Sequence, residues 1–352
     1  MDRSGEPRVL KKEDPAGVDP ARDVDVRPGH PVARSALAVA WAPFQARTEA
    51  LAEALGGRAA FVSGRLPPLP ALAPLRYLGC AWRTWRLLDR RRPIAVVVVT
   101  PPVVAPAVAW CWCRLRGCPL IVDCHTDTFH ARRWAWARPL LRALFARSRA
   151  VLVHTEEAVE IVRGWRVAGL LLPDDVPDGS RAEPAATPTR PTVLVAGSLD
   201  ANEPVAETLA AARLLPEVHL RFTGDPRGVP RAVRAAAPAN VAFTGFLPYR
   251  RFLGAMRAAH VVAVFSTDTH IMNRAAFEAA GLGRPLVLSD LAGLRARFGE
   301  GAIYAVNDPQ EMARSLRLAL ADAAGMADRS RLLGERLRGQ RDDALRRLQI
   351  LV

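Results

Sequence analysis

The chain has 352 residues, half of them apolar and a quarter charged, with a formal net charge of +14. This composition excludes an intrinsically disordered protein and predicts two globular domains of ordinary size. The positive charge fits an anionic nucleotide or an anionic membrane surface. The sequence has no recognised nucleic-acid-binding motif, so no specific nucleic-acid partner is predicted.

The five cysteines indicate a reducing compartment, because their number is odd and they follow neither a secretory signal nor a paired metal-ligand spacing. We therefore expect a cytoplasmic protein. The longest apolar run, residues 94–113, contains three prolines and predicts a strand followed by a helix, with no membrane-spanning segment.

The chain begins with residues 1–34, which are polar, rich in proline and without periodicity, as is typical of a disordered tail. A strand at 35–41, a helix at 48–55 and a strand at 59–62 are predicted next. Arg47 lies at the first strand-to-helix junction. It either faces a ligand or is a solvated arginine at the helix entry.

Strands and helices then alternate, and this alternation predicts a doubly wound α/β domain with a parallel sheet. The predicted elements are a helix at 75–92, a buried strand at 94–99, a helix at 105–115, and strands at 120–123, 150–153 and 170–172.

Asp123, His125 and Asp127 follow the strand at 120–123. Ligands of open α/β sheets bind beyond the carboxyl ends of strands, so these side chains are candidates for a general base or for hydrogen bonds to a sugar. With the nearby His130 they match no standard zinc spacing, and we predict no metal.

The segment at 131–147 is basic and aromatic at helical spacing. It fits a face lying on an anionic membrane, and equally an amphipathic helix whose Trp and Leu side chains pack on the sheet.

Residues 173–191 are rich in Pro, Asp, Ala and Thr and predict a linker. A second α/β series follows, with strands at 192–197, 218–224, 240–245, 261–265 and 286–288, and helices at 204–215, 229–236 and 249–259. Two further helical patterns, at 309–321 and 326–350, end the chain.

The stretch from Ser266 to Asp290 contains a strand end, a polar loop and a helix that begins near Asn273. Such an arrangement offers a binding site for phosphate, because free backbone N–H groups and the helix dipole point outward there. Glu278 lies within the helix and suits a pair of hydroxyls such as those of a ribose. An ordinary βαβ crossover is the alternative.

Asn240-Val-Ala-Phe-Thr-Gly245 and Glu278-Ala-Ala-Gly-Leu-Gly-Arg-Pro285 resemble motifs of the GT-B nucleotide-sugar glycosyltransferases, especially the retaining family that includes sucrose and mannosyl transferases. Thr100-Pro-Pro102 and Asp123-Cys-His125 resemble the β-mannosyltransferases that extend lipid-linked chitobiose. The resemblance covers roughly residues 35–325.

The resemblance implies the GT-B fold, an α/β architecture of two Rossmann-like domains facing a cleft. Residues 35–172 would form the acceptor-binding domain and 192–325 the nucleotide-sugar-binding domain. Residues 173–191 would join these two domains. The helices of 326–352 would pack back on the first domain.

On the donor side, the resemblance implies that Glu278 contacts the donor ribose, Gly197 and Ser198 approach the diphosphate, and the loop Gly245-Phe246-Leu247 reads the nucleobase. His270 stands where the retaining family has a glutamate that approaches the donor sugar, which puts the retaining mechanism in doubt. The family's usual Arg and Lys after Ser198 are absent. By its position next to Asn273, Arg274 is the candidate to balance the diphosphate charge, and a plain surface arginine is the alternative.

On the acceptor side, the resemblance implies that His125 contacts the transferred sugar. Asp127 or His125 would deprotonate the acceptor if the reaction inverts, with Asp123 beside them and Arg47 on the acceptor side. We expect a transferase that moves a hexose, with mannose a guess, from a nucleoside diphosphate sugar to a glycan or lipid-linked acceptor. No cofactor and no metal are expected, and the enzyme would work in the cytoplasm or at the inner face of the membrane. A nucleotide-sugar epimerase and a non-catalytic binding protein are the alternatives.

Overall fold

A computed structural model describes residues 35–64, 66–67 and 69–351, which form two compact units. Unit 1 contains the described residues up to 153, residues 157–170 and the chain end from 348. Unit 2 contains residues 154–156 and 171–347. The tail predicted at 1–34 lies outside the described residues.

Unit 1 is built on a six-stranded sheet of order β2-β1-β3-β4-β5-β6, in which the strand pairs from β2 to β5 are parallel. The strands are β1 (Leu37–Ala40), β2 (Arg58–Phe61), β3 (Val96–Thr100), β4 (Leu120–Cys124), β5 (Ala150–Val153) and β6 (Gly169–Leu171). The helices of this part of the chain are α1 (Ala46–Ala54), α2 (Ala73–Arg91), α3 (Val104–Arg116), α4 (Asp127–His130), α5 (Arg138–Phe145) and α6 (Glu156–Gly164).

The central strands β3 and β4 are buried along their whole length, as the apolar runs of the sequence predict for a parallel sheet covered on both faces. The core between sheet and helices includes Trp112, Leu141 and Phe145, each almost without exposure. The predicted doubly wound α/β fold of this half is therefore confirmed.

The segment at 131–147 does not form the single amphipathic helix that its spacing suggests. Residues 132–137 form a 3₁₀ helix, and α5 starts only at Arg138, with Pro139 in its first turn. Proline lacks a backbone N–H and suits the first turn of a helix, so it favours a new start at this point. Trp134 is buried and Trp136 is exposed, so the aromatic residues do not share one face.

Unit 2 contains a second six-stranded sheet, of order β12-β11-β10-β7-β8-β9, with every neighbouring pair parallel. The strands are β7 (Thr192–Val195), β8 (His219–Thr223), β9 (Val241–Gly245), β10 (Val261–Val264), β11 (Leu286–Ser289) and β12 (Ile303–Ala305). The helices are α7 (Val205–Arg213), α8 (Arg231–Ala235), α9 (Tyr249–Ala258), α10 (Arg274–Gly281), α11 (Ala292–Phe298), α12 (Pro309–Ala321) and α13 (Ala323–Leu351). The sequence patterns miss α11 and β12.

Residues 173–191 contain neither helix nor strand, and they belong to unit 2. The first residues of this segment are mostly buried, whereas residues 184–187 and 189–191 are exposed. Val176 belongs to the core formed with α10 and β11, and the guanidinium of Arg341 donates to the carbonyl of Pro173 over 2.6 Å. Among the described residues, no helix has the length and apolar character required to cross a bilayer.

Candidate active site

In unit 1, a polar cluster lies where β4 ends. Arg47, in the first turn of α1, donates to both carboxylate oxygens of Asp123 over 3.0 to 3.3 Å. Arg47 is 3% exposed and Asp123 is fully buried. The alternative of a solvated arginine at the helix entry is therefore wrong.

Burial gives this ion pair a specific role. A charge inside a protein is stable only when it is paired, so Arg47 and Asp123 hold each other and lock the start of α1 to the end of β4. Asp123 thus has a structural role in the cluster, and its buried side chain exposes no surface to an acceptor. Burial, together with the Asp123 charge, raises the pKa of the Cys124 thiol well above its ordinary value, which keeps this cysteine protonated.

His125 is only partly buried and follows β4 directly. Its Nε2 lies 3.0 Å from Nε2 of Gln45, whose Oε1 accepts a hydrogen bond from the Thr48 hydroxyl. With its oxygen engaged, the Gln45 amide nitrogen is the group that faces His125, and it donates to Nε2 in the tautomer whose proton is on Nδ1. The backbone N–H of His125 donates to the carbonyl of Thr100, which fixes the loop.

Asp127 is the exposed carboxylate of this segment. It is the first residue of α4, its side chain is 56% exposed, and it forms an ion pair with Arg133, which is 67% exposed. Of the three residues predicted for catalysis, His125 and Asp127 are therefore accessible to a ligand, whereas Asp123 is not. Their catalytic roles stay predictions.

In unit 2, Gly197 and Ser198 follow β7 in a tight loop. The carboxylate of Glu203 accepts from the backbone N–H of Ser198 over 2.8 Å and from that of Leu199 over 3.1 Å. A Cβ at Gly197 would lie 2.1 Å from a Glu203 oxygen, so this position has room only for glycine while the carboxylate is in place.

Glu203 therefore occupies the backbone donors that the resemblance assigns to the diphosphate. Burial raises the pKa of Glu203, and its two backbone hydrogen bonds act in the opposite direction. The sequence shows a glutamate in this region but gives no sign that it binds the loop, because the contact depends on the turn geometry.

The loop from Ser266 to His270 is held by side-chain hydrogen bonds. The backbone N–H of Ser266 donates to the Ser289 hydroxyl over 2.9 Å, and the Asn307 amide donates to the Ser266 carbonyl over 2.8 Å. Asp268 accepts from the backbone N–H of His270 over 2.9 Å. These bonds place the half-buried His270 next to the start of α10.

The amino terminus of α10 borders a cavity of about 230 Å³. The backbone N–H groups of a first helical turn have no partner within the helix, so they point outward from it. No side chain caps α10, and the buried Oδ1 of Asn273 has no hydrogen-bond partner among the described residues. The cavity is lined by Ala196, Gly197, Ser198, Asp200, Asn202, Glu203, Phe252, Ile271, Asn273 and Ala275.

Arg274 and Glu278 lie one turn apart on α10 and form a salt bridge of 2.7 Å. The guanidinium also donates to the Tyr249 hydroxyl over 3.0 Å. Burial raises the pKa of Glu278, which is 3% exposed, and Arg274 opposes this shift. Burial and the nearby Glu278 charge raise the pKa of Tyr249.

The structure thus joins the two predicted donor residues to each other. Arg274 is not a plain surface arginine, because its guanidinium is bound to Glu278 and Tyr249. The sequence does not indicate Tyr249, which comes from the start of α9 and reaches α10 only in the folded chain.

Gly245 is the last residue of β9 and is followed by Phe246 and Leu247; none of the three lines the cavity of about 230 Å³. Gly245 has φ +73°, a left-handed conformation that favours glycine. Phe246 is 41% exposed, and Leu247 packs against the core. An exposed aromatic ring beside a glycine turn is compatible with stacking on a base, and this role stays a prediction.

A larger cavity, of about 360 Å³, lies in unit 1 and borders Leu120, the first residue of β4. Asp123 and His125 lie at the other end of that strand. The smaller cavity, in unit 2, is lined by Ala196 and Gly197, which follow β7, so it lies at a carboxyl strand end, where ligands of parallel α/β sheets bind.

Each half of the chain matches a family model of glycosyltransferases. Residues 190–322 match the model described as glycosyl transferases group 1, and residues 32–169 match the model described as glycosyltransferase family 4. No curated protein matches the sequence significantly.

Solved structures with the same fold include a sucrose-phosphate synthase from Thermosynechococcus elongatus, at 15% identity and TM-score 0.69, with 90% of this chain and 98% of that chain covered. The HepE protein of Anabaena, crystallised with UDP and glucose, has 13% identity and TM-score 0.68, with coverage of 90% and 98%. A trehalose 6-phosphate synthase from Burkholderia multivorans has 15% identity and TM-score 0.66, with coverage of 90% and 97%. At these identities the likeness shows the fold.

Proposed function

The chain belongs to the group 1 glycosyltransferases of the GT-B fold, and on that premise we propose that it transfers a hexose from a nucleoside diphosphate sugar to a glycan or lipid-linked acceptor. The observation that carries this proposal is the uncapped amino terminus of α10 at the edge of the cavity in unit 2. A helix amino terminus attracts phosphate through its free N–H groups and its dipole.

The donor diphosphate lies at the first turn of α10 in this proposal, and Arg274 supplies the cation. The buried Oδ1 of Asn273, which has no hydrogen-bond partner among the described residues, suits a hydroxyl of the donor sugar. Glu278 still has carboxylate lone pairs to accept from a ribose while Arg274 holds one of its oxygens. Helix dipole and guanidinium together stabilise the leaving diphosphate, so no metal and no cofactor are required.

The nucleotide is UDP or GDP in this proposal. The Anabaena structure with UDP supports a uridine nucleotide, whereas the Asp-x-His motif at Asp123 and His125 supports the GDP-mannose class through its resemblance to β-mannosyltransferases. Phe246 would stack on the base.

On the acceptor side, His125 and Asp127 are the accessible groups that can take the proton of the acceptor hydroxyl. His270 stands in place of the retaining family's glutamate, which favours a mechanism in which such a base takes part. In this proposal the enzyme works in the cytoplasm or at the inner face of the membrane.

The test is the fate of the sugar from a panel of labelled UDP- and GDP-hexoses, with and without membrane lipid extract. Release of nucleoside diphosphate that depends on the extract, with label on a lipid, supports transfer. Conversion of the sugar without acceptor would indicate an epimerase, and saturable binding without turnover would indicate a binding protein. Either result would overturn the proposal.

A matched pair of variants tests the catalytic base at saturating donor. Asp127→Asn should lower turnover by about 100-fold or more, since general base catalysis contributes that much. Asp343→Asn is the control, because Asp343 is also exposed and paired with an arginine, on α13. Unchanged turnover in Asp127→Asn would remove this residue as the base.

A further inference from the structure

The helix α2 of unit 1 exposes a row of large apolar side chains. Leu75 is 58% exposed, Leu78 is 66% exposed and Trp82 is 59% exposed, with Trp85 beside them at 36%. We call these four residues the α2 outer face. Single exposed apolar residues are ordinary, but a contiguous apolar patch marks an interaction surface.

The spacing shows that these residues form one face. Steps of three and four residues keep side chains on the same side of a helix. The core side of α2 is formed by Cys80, Thr84 and Leu88, which are buried. Leu78 lies two residues before Cys80, and Trp82 lies two residues before Thr84. Each residue turns the helix by about 100°, so a step of two residues places Leu78 and Trp82 on the opposite side of the helix.

The α2 outer face is bordered by positive charge. Residues 73–92 contain six arginines and a single carboxylate, Asp89, which Arg116 neutralises over 2.6 Å. The guanidinium of Arg86 stacks on the ring of Trp82 at 4.4 Å. Leu and Trp side chains flanked by arginines fit the interfacial region of a bilayer with anionic headgroups.

We propose that the α2 outer face docks the enzyme on an anionic lipid surface. The inference deepens the proposed function, on which it rests for a lipid-linked acceptor. The apolar side chains of the α2 outer face enter the headgroup layer, and the arginines bind the phosphates of the lipids. Charge complementarity selects a lipid surface over an apolar protein partner, since an apolar groove would not require six arginines.

The docking surface differs from the segment that the sequence suggests for membrane contact. In the segment at 131–147, Trp134, Leu141, Leu144 and Phe145 are buried in the core of unit 1. Most of its apolar side chains therefore stabilise the fold. On α2, by contrast, Leu75, Leu78, Trp82 and Trp85 point away from the core.

The test is binding of the full chain to vesicles of phosphatidylcholine alone and of phosphatidylcholine with phosphatidylglycerol. The wild type should bind the anionic vesicles, and binding should weaken as salt screens the arginines. The double variant Leu78→Glu/Trp82→Glu should reduce affinity for anionic vesicles about tenfold or more, because it removes apolar contact and adds repulsion. The control is Leu318→Glu/Leu332→Glu, the same charge change at two exposed leucines of unit 2.

Equal binding by the double variant and the wild type would overturn the docking surface, as would equal binding to neutral and anionic vesicles. A wild type that dimerises through this face in sedimentation, without binding lipid, would also overturn it. Turnover of a water-soluble acceptor separates this inference from the function. Suppose that neither the wild type nor any variant turns over a donor, but the wild type still binds anionic vesicles more tightly than the double variant does. The docking surface is then supported, and the proposed function fails.

Discussion

The buried pair of Arg47 and Asp123 gives the sharpest stability prediction, and the perturbation is Arg47→Met. Three hydrogen bonds of 3.0 to 3.3 Å join the two side chains, and neither is more than 3% exposed. The substitution leaves the Asp123 charge inside the protein without its guanidinium. Removing one partner of a buried ion pair costs about 3–5 kcal/mol.

Thermal unfolding of the full chain, followed by calorimetry, measures this cost. A loss of that size in a unit of this length lowers the midpoint of the affected transition by roughly 6–20 °C. Arg133→Met is the control in the same unit. Its partner is Asp127 and both side chains are more than half exposed, so the expected cost is below about 1 kcal/mol.

The double variant Arg47→Met/Asp123→Leu checks the mechanism, because it removes both charges and should recover much of the lost stability. In Arg47→Met alone, burial without a partner should raise the pKa of Asp123 above its unfolded value. The folded variant then binds more protons, so its deficit should shrink as the pH falls. A loss equal to that of Arg133→Met, or no recovery in the double variant, would refute this account of the cluster.

Three further predictions concern unit 2. Glu203→Gln should increase the affinity for a nucleoside diphosphate sugar about tenfold in calorimetric titration, because it removes a carboxylate from the loop that approaches the diphosphate. This gain should diminish at acidic pH, because burial raises the pKa of Glu203 and a protonated Glu203 carries no charge. Weaker binding by the variant would show instead that Glu203 positions the loop. Arg274→Met should lower the same affinity about tenfold or more, and an unchanged affinity would place the diphosphate elsewhere. Gly224→Ala should destabilise the protein by about 3 kcal/mol in denaturant titration, because the new Cβ would lie 2.3 Å from the Ser198 backbone. The control is Gly245→Ala. Gly245 also has a left-handed backbone conformation but faces open space, so this substitution should cost only about 1–2 kcal/mol. Equal costs at the two glycines would contradict the close approach.

Much of the fold can be predicted because the central strands bury both faces. Continuous apolar runs such as 94–99 and 261–265 identify β3 and β10 directly, and glycines mark the ends of α1 and α3. The elements α11 and β12 escape prediction because they are short. The 3₁₀ turn Gly299–Gly301 also separates them without a clear apolar rhythm.

The site is less predictable, because its contacts join residues that are distant in sequence. Arg47 and Asp123 are 76 positions apart, and Arg274 and Tyr249 are 25 apart. The sequence identifies the residue types and the strand ends that carry them. It cannot show that Arg47 of α1 neutralises Asp123, or that Glu203 accepts hydrogen bonds from the backbone N–H groups of its loop, because both contacts depend on packing.

The most direct test of the central claim is hydrogen–deuterium exchange of the full chain with and without a nucleoside diphosphate. The claim is that the donor diphosphate binds at the first turn of α10. It predicts that the nucleotide slows exchange of the backbone amides at 273–276 and in the adjoining loop at 196–203. Saturating nucleotide that protects other parts of the chain and leaves the amides at 273–276 unchanged would contradict it.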